Sequence, residues 1–204
     1  IATHIPPRDK LVPRSSAPSE TRRADRQHRD GLPRQLLGWT GLTSAPEFGG
    51  QGLPHAMGVP LNEMINAANL AWGNFPLLSH GAVEALKQHG EDWQREAFLK
   101  PIVEGRWTGT MCLTEPHCGT DLGLLKTKAE PNADGSYAIT GTKIFITAGE
   151  HDLTDNIVHL VLAKLPDAPP GAKGISLFVT PKFKVARDGT MGERNSLRCG
   201  SIEH

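Results

Sequence analysis

The chain has 204 residues and a mass of 22.0 kDa, with 38% hydrophobic residues, 22% charged residues and a formal net charge of zero. That length holds one large or two small domains at roughly 100–200 residues each. The composition is that of an ordinary soluble globular protein, and no run approaches the roughly 18–20 consecutive apolar residues of a membrane span.

The charge is unevenly placed: residues 1–35 carry seven Arg and one Lys against four acidic residues, while the remainder carries 14 basic and 18 acidic residues. Rich in Pro, Ser and Arg and nearly without apolar periodicity, residues 1–35 bury too little surface to offset the entropy of ordering. They read as a disordered or non-native basic leader. A basic arm for nucleic acid or acidic lipid is the functional alternative, weakened by the interspersed acids and by the absence of an aromatic residue to stack on a base. The chain starts at Ile1 and stops at His204 within ordinary sequence, which reads as a fragment of a longer protein. Cys112, Cys118 and Cys199 are an odd number of cysteines without a secretory signal, and so point to a reducing, cytoplasmic home.

Leu36-Leu-Gly-Trp-Thr40 opens the ordered part, and the Pro and Gly of Ser44-Ala-Pro-Glu-Phe-Gly-Gly-Gln-Gly52 mark a loop. From Leu61 to about Leu78, Leu61, Met64, Ile65, Ala68 and Trp72 recur at spacings of three and four, which predicts a helix with one buried face, Pro60 sitting in its first turn. Ser79 is placed to cap a second helix with Ala82, Val83 and Leu86 inward, closed by Gly90. A third helix is expected from about Asp92 to Val103 with Trp93, Ala97 and Phe98 inward and Pro101 bending or ending it. Segment 36–105 is therefore expected to be helical.

After Gly105 the period shifts from near 3.6 to 2. Strands are expected at Trp107 to Leu113, Leu124 to Ala129, Tyr137 to Thr147, Ile157 to Leu165 and Gly174 to Thr180, with a strong turn at Asn132 to Ser136. Segment 106–186 reads as an antiparallel β domain, making the chain α+β, and 187–204 carries turn residues and a short Ser196 to Ile202 segment.

Among the chemical readings, metal binding is weak because Cys112 and Cys118 have five residues between them and His117 points elsewhere on an extended chain. No G-x-S-x-G elbow and no strand followed by a G-x-G-x-x-G helix start is present. What remains is a pair of corners, Leu113-Thr-Glu-Pro116 and Phe145-Ile-Thr-Ala-Gly149, each at an expected strand end. There a threonine hydroxyl and neighbouring N–H can donate to the heteroatoms of a flat ring, and Phe145 can cover its face.

Thr114-Glu-Pro-x-x-Gly-Thr-Asp121 followed by Ile139-Thr-Gly-Thr-Lys-Ile-Phe-Ile-Thr-Ala-Gly149 resembles the middle domain of the flavin-dependent acyl-CoA dehydrogenases. Ser44 to Gly52 and the helices after it resemble that family's N-terminal helical domain. Gly49-Gly-Gln-Gly-Leu-Pro-His55, Glu104 to Thr110 and Arg198 to His204 are similar to its 3-methylmercaptopropionyl-CoA dehydrogenase-like branch. The resemblance implies a helical N-terminal domain (36–105), a β-barrel-like middle domain with the flavin site (106–186), and 187–204 as the start of a C-terminal region whose four-helix domain is missing. It implies FAD as cofactor and places Met111, Leu113 and Thr114 along the isoalloxazine ring. Phe145, Ile146 and Thr147 stand for the family's Trp-Ile-Thr or Trp-Ile-Ser flavin contact, Phe145 keeping an aromatic face without the indole N–H. Gly119 and Thr120 belong to the same corner, with Thr120 matching a residue that contacts flavin phosphate or the CoA moiety.

The implied activity is α,β-dehydrogenation of an acyl-CoA thioester, with an acceptor such as an electron-transfer flavoprotein and, in the full-length parent, a homo-oligomer. The family's base, a Glu of the C-terminal helical domain, falls beyond His204, so the chain alone is expected to be inactive. The alternative is a non-catalytic module that binds flavin or a partner.

Overall fold

The computed structural model describes residues 39–200. The expected leader at 1–35, the start of the ordered part at 36–38 and the final residues 201–204 lie outside the described residues.

Two helices follow the loop after Thr40: α1 (Gly58–Ala68) and α2 (Leu70–His89). Asn69 separates them. Its extended backbone (φ −161°, ψ 95°) ends α1, and its side-chain oxygen caps α2 by accepting the Trp72 N–H at 3.0 Å. The sequence placed this break at Ser79. Ser79 instead lies inside α2, where its Oγ donates to the Phe75 carbonyl at 2.9 Å and accepts the Gly109 N–H at 3.0 Å. The apolar spacing runs in phase across Asn69, so periodicity could not locate the break. The expected inward face of the first helix is also corrected. α1 buries no residue and Met64 is 63% exposed, whereas α2 buries Gly73, Ala82, Val83 and Leu86.

Residues 92–103 form α3, whose start is a capping box: Glu91 and Gln94 bond each other's backbone N–H groups. Pro101 neither ends the helix nor stops its burial. The turn before it, Arg95–Leu99, is wound as a π-helix, and the helix continues over Lys100–Val103. A widened turn accommodates the ring and missing N–H that proline brings to a helix interior.

The strands are β1 (Trp107–Cys112), β2 (Lys128–Pro131), β3 (Tyr137–Thr140), β4 (Asn156–Lys164), β5 (Ile175–Pro181), β6 (Phe183–Val185) and β7 (Met191–Arg194). The first five make one sheet with β4 at its centre, and β6 and β7 make a separate hairpin that the sequence reading left as turns. The expected antiparallel sheet is corrected to a mixed one. β1 runs parallel to β4 from Trp107↔Asn156 to Cys112↔Val161, while β4–β5 and β2–β3 are antiparallel. Side-chain alternation has the same period in both directions and carries no information on strand sense. The unbroken burial of Asn156 to Val161 is the pattern of a central strand covered on both faces.

Two strands are shorter than expected. Leu122–Leu124 is a 3₁₀ turn, and pairing begins only at Lys128. Beyond Thr140 the alternation of residues 142–147 finds no strand partner, and the backbone takes positive φ at Phe145 (56°) and Ala148 (54°).

The main core lies where α2 and α3 cover β1 and β4: Val83, Leu86, Phe98, Leu99, Ile102, Val103, Trp107 and Val158 pack together, with Phe98 edge-on to Trp107 at 6.0 Å. Gly109 permits this approach, because a Cβ there would stand 2.3 Å from that of Ala82. No helix among the described residues is long and apolar enough to cross a membrane.

Candidate functional site

β1 delivers Met111, Leu113 and Thr114 to the end of the central sheet. Strand alternation turns Met111 outward (39% exposed) and Cys112 inward, and Leu113 and Thr114 are half-buried just past the strand. A tight turn follows, in which the Glu115 and Cys118 backbones bond each other at 2.8 and 3.1 Å. Gly119 lies against Thr114, since a Cβ at Gly119 would meet Thr114 Cγ2 at 3.3 Å. Thr120 is exposed.

The second corner lies directly beside the first, although about thirty residues separate them in sequence. Ile144 N–H donates to the Thr114 carbonyl at 2.9 Å, and Thr110 Oγ1 donates to the Thr147 carbonyl at 2.6 Å. Further along, the buried ring of His159 on β4 lies between two carbonyls, with Nε2 2.7 Å from Gly149 O and Nδ1 3.1 Å from Thr180 O; a neutral imidazole donates to one of them. Within this corner the Phe145 ring is 69% exposed on a left-handed backbone, Ile146 is half-buried and Thr147 is exposed. A bulky residue at positive φ is a strained conformation that persists only where the surroundings enforce it. The structure therefore joins Thr114, Gly119, Phe145, Ile146 and Thr147 in one region; Thr120 is not among the residues these bonds tie together.

Two residues that the sequence reading quoted but gave no role lie between the corners. Glu115, with its side chain 2% exposed, receives the Lys126 N–H (2.8 Å), the Thr127 N–H (3.0 Å), the Thr127 hydroxyl and the Lys143 ammonium (2.9 Å). Lys143 also donates to the Leu113 carbonyl at 3.1 Å. Burial works to raise the Glu115 pKa, but the hydrogen bonds from Thr127, Lys143 and Lys126 outweigh it and hold the carboxyl at about 2. The available signal was a lysine set within the apolar alternation Ile139 to Thr147, which demands a buried partner.

Glu115, His117 and Cys118 each offer a ligand atom within 4.8 Å of one another. The Glu115 carboxylate is already committed to its four donors, so this cluster reads as turn chemistry. Cys112 is equally inert: burial pushes its thiol up to about 12 despite the nearby Lys143 ammonium.

Behind the corners, His151 Nδ1 accepts the Leu153 N–H at 3.2 Å and Nε2 lies 3.0 Å from Thr108 Oγ1, the contacts of a neutral imidazole protonated at Nε2. Burial, and then the Lys182 charge, lower its pKa from 6.5 to about 4. In that interval the unfolded chain binds a proton that the folded chain refuses, so stability is fully present above 6.5 and falls as the pH drops towards 4. Denaturant titrations across this window are expected to show that slope and His151→Asn to reduce it, the part left coming from His159, whose pKa burial also lowers; equal slopes in the two proteins would contradict the assignment.

Helices laid on a mixed sheet, with the corner at the end of β1 pinned beside the loop corner at 145–149, define an α+β protein built around a composite corner. Residues 9–106 match the family model described as acyl-CoA dehydrogenase, N-terminal domain, and residues 110–200 match the middle domain of the same family. The chain belongs to the acyl-CoA dehydrogenase family. The N-terminal match includes much of the stretch set apart above as a leader.

The chain is 51% identical over 168 residues to 3-methylmercaptopropionyl-CoA dehydrogenase of Ruegeria pomeroyi, covering 82% of this chain and 29% of that protein. Among solved structures it is similar to butyryl-CoA dehydrogenase from Megasphaera elsdenii (TM-score 0.66, 27% identity, 81% of this chain and 51% of that one). It is also similar to an acyl-CoA dehydrogenase from Bacillus anthracis complexed with FAD (TM-score 0.62, 25% identity, 78% of this chain and 26% of that one). The chain spans less than a third of the length of the curated relatives it matches first, 25–29% in four of them.

Proposed function

We propose that this chain forms the flavin-binding corner of a protein that carries out FAD-dependent α,β-dehydrogenation of an acyl-CoA thioester. The observation that carries the proposal is the joining of the two corners: the bonds from Ile144 to the Thr114 carbonyl and from Thr110 to the Thr147 carbonyl tie the segment that bears exposed Phe145 to the segment that bears Thr114. The residues suit FAD on physical grounds. Exposed Phe145 and Met111 offer apolar surface to a flat ring, Leu113 and Ile146 border it, and Thr114 and Thr147 offer hydroxyls to its heteroatoms. Gly119 keeps space beside Thr114, and exposed Thr120 is free to meet phosphate oxygens of the cofactor or of the CoA moiety.

Bound FAD supplies the acceptor for the two electrons that leave the acyl chain. The residues of this chain orient the ring and shield one side of it from water. The thioester α proton is too weakly acidic to leave at neutral pH without a positioned base and a stabilised enolate oxygen. Glu115 cannot be that base: it is buried, its oxygens already accept from four donors, and a carboxyl held at about 2 has too little affinity for a proton. We propose that the base and the remaining walls come from other parts of the longer protein. We further propose an acyl-CoA substrate, an electron-transfer flavoprotein or similar acceptor, a cytoplasmic setting and a homo-oligomeric whole protein.

Titrating the purified chain with FAD tests the cofactor reading. Saturable binding near one FAD per chain with a perturbed flavin absorption band is expected, and a chain that leaves free FAD unchanged contradicts it.

A further inference from the structure

Three candidates stand outside the corner residues themselves. The cavity of about 100 Å³ between α2 and β1 is walled mainly by Trp72, Phe75, Val83 and Trp107; the Ser79, Thr108 and Thr154 hydroxyls at its edge are bonded within the protein, and His80 and Ser44 alone do not define a ligand class. The exposed apolar residues Val59, Met64, Leu70 and Leu77 along α1 and α2, with Met57 just before α1, have nothing among the described residues to say what covers them. The buried Glu115–Lys143 pair is different, because its bonds reach both corners.

Lys143 stands two residues before Phe145, and Glu115 directly follows Thr114. The Lys143 ammonium donates to the Leu113 carbonyl, at the strand end where the β1 ladder has stopped, and to Glu115 Oε1. Through the other bonds to its carboxylate, Glu115 fixes residues 126 and 127, whose chain enters β2. Three segments are thus held around one ion pair that water hardly reaches, its side chains 9% and 2% exposed. A lone hydrogen bond between neighbouring loops opens readily, whereas a buried charge pair leaves two unpaired ions if it opens.

We propose that Glu115 and Lys143 are positioning residues: their ion pair sets the spacing between Thr114 and the Phe145–Thr147 corner, and thereby the affinity for FAD. The proposal rests on the flavin reading above. Neither side chain touches the ring; both act through backbone they hold in place. Ligand sites are sensitive to such support, because displacing a contacting group by about 0.5 Å is enough to loosen them.

The test uses the whole chain with the paired substitution Glu115→Gln and Lys143→Met, which removes both charges while keeping side-chain length and leaves no unpaired ion. Two readings are taken on folded protein: hydrogen exchange of the Ile144 amide, which reports the inter-corner bond directly, and the FAD dissociation constant. Ile144 exchange roughly tenfold faster and FAD binding roughly tenfold weaker are expected, with thermal unfolding still cooperative. Unchanged Ile144 exchange overturns the proposal, and so does faster exchange with unchanged FAD affinity, which would leave the pair a purely structural clamp. A wild-type chain that binds no FAD overturns the flavin reading and this proposal with it. The exchange arm distinguishes that case, because it still reports whether the pair holds the corners.

Discussion

Replacing Lys143 alone with Met is expected to destabilise the fold by about 3–5 kcal/mol, because it strands the buried Glu115 carboxylate without its charged partner. Urea unfolding at neutral pH measures this as a lower midpoint at unchanged slope. The pH dependence gives the effect a signature. In the wild type the carboxyl is held at about 2 against an ordinary 4.5, so its contribution is fully present above 4.5 and is lost as the pH falls through about 2. Without the ammonium, Glu115 in the variant takes up its proton at higher pH and sheds the unpaired charge. The gap between wild type and variant is therefore expected to narrow on acidification from pH 4.5 downwards. A cost below about 1 kcal/mol, the range of exposed ion pairs, would show that water reaches the pair.

The second large effect is Phe98→Ala, with an expected loss of about 3–5 kcal/mol. Phe98 is fully buried, edge-on to Trp107 at 6.0 Å and near Trp93 at 6.2 Å, within the cluster that fixes α3 to the sheet. Phe145→Ala is the control: that ring is 69% exposed, so its removal is expected to change stability by no more than about 0.5 kcal/mol. Two phenylalanines thus separate stability from binding. A Phe145 substitution that destabilised the chain as much as the one at Phe98 would mean that the Phe145 ring packs in the core.

Much of this was legible in the sequence, and the parts that were not share a physical reason. The switch from helical to strand period at Gly105 is real, since α3 ends at Val103 and β1 begins at Trp107. Local turn chemistry was readable as well: the Asn132 to Ser136 turn is closed by the Ser136 carbonyl and the Asp134 carboxylate. What failed depended on partners distant in sequence. Periodicity reports that a segment has two faces, not what lies against them, so α1 was given a buried face that it does not bury. It also could not say that β1 runs parallel to β4, or that residues 142–147 alternate with no strand to pair with. The two corners were visible as residues, but the bonds joining them were not, and Glu115 and Lys143, the pair bridging them, read as motif letters without a role.

The most direct measurement of the central claim, that the two corners form one flavin site, is a double-mutant cycle on FAD affinity with Thr114→Val and Thr147→Val. Each substitution keeps the side-chain shape and removes one hydroxyl, and each is expected to weaken FAD binding by about 2- to 12-fold, the equivalent of one hydrogen bond. Groups that contact one ring should show coupling, so the double variant should depart from the product of the single effects. Full FAD affinity in either single variant would contradict the claim that both corners hold the cofactor.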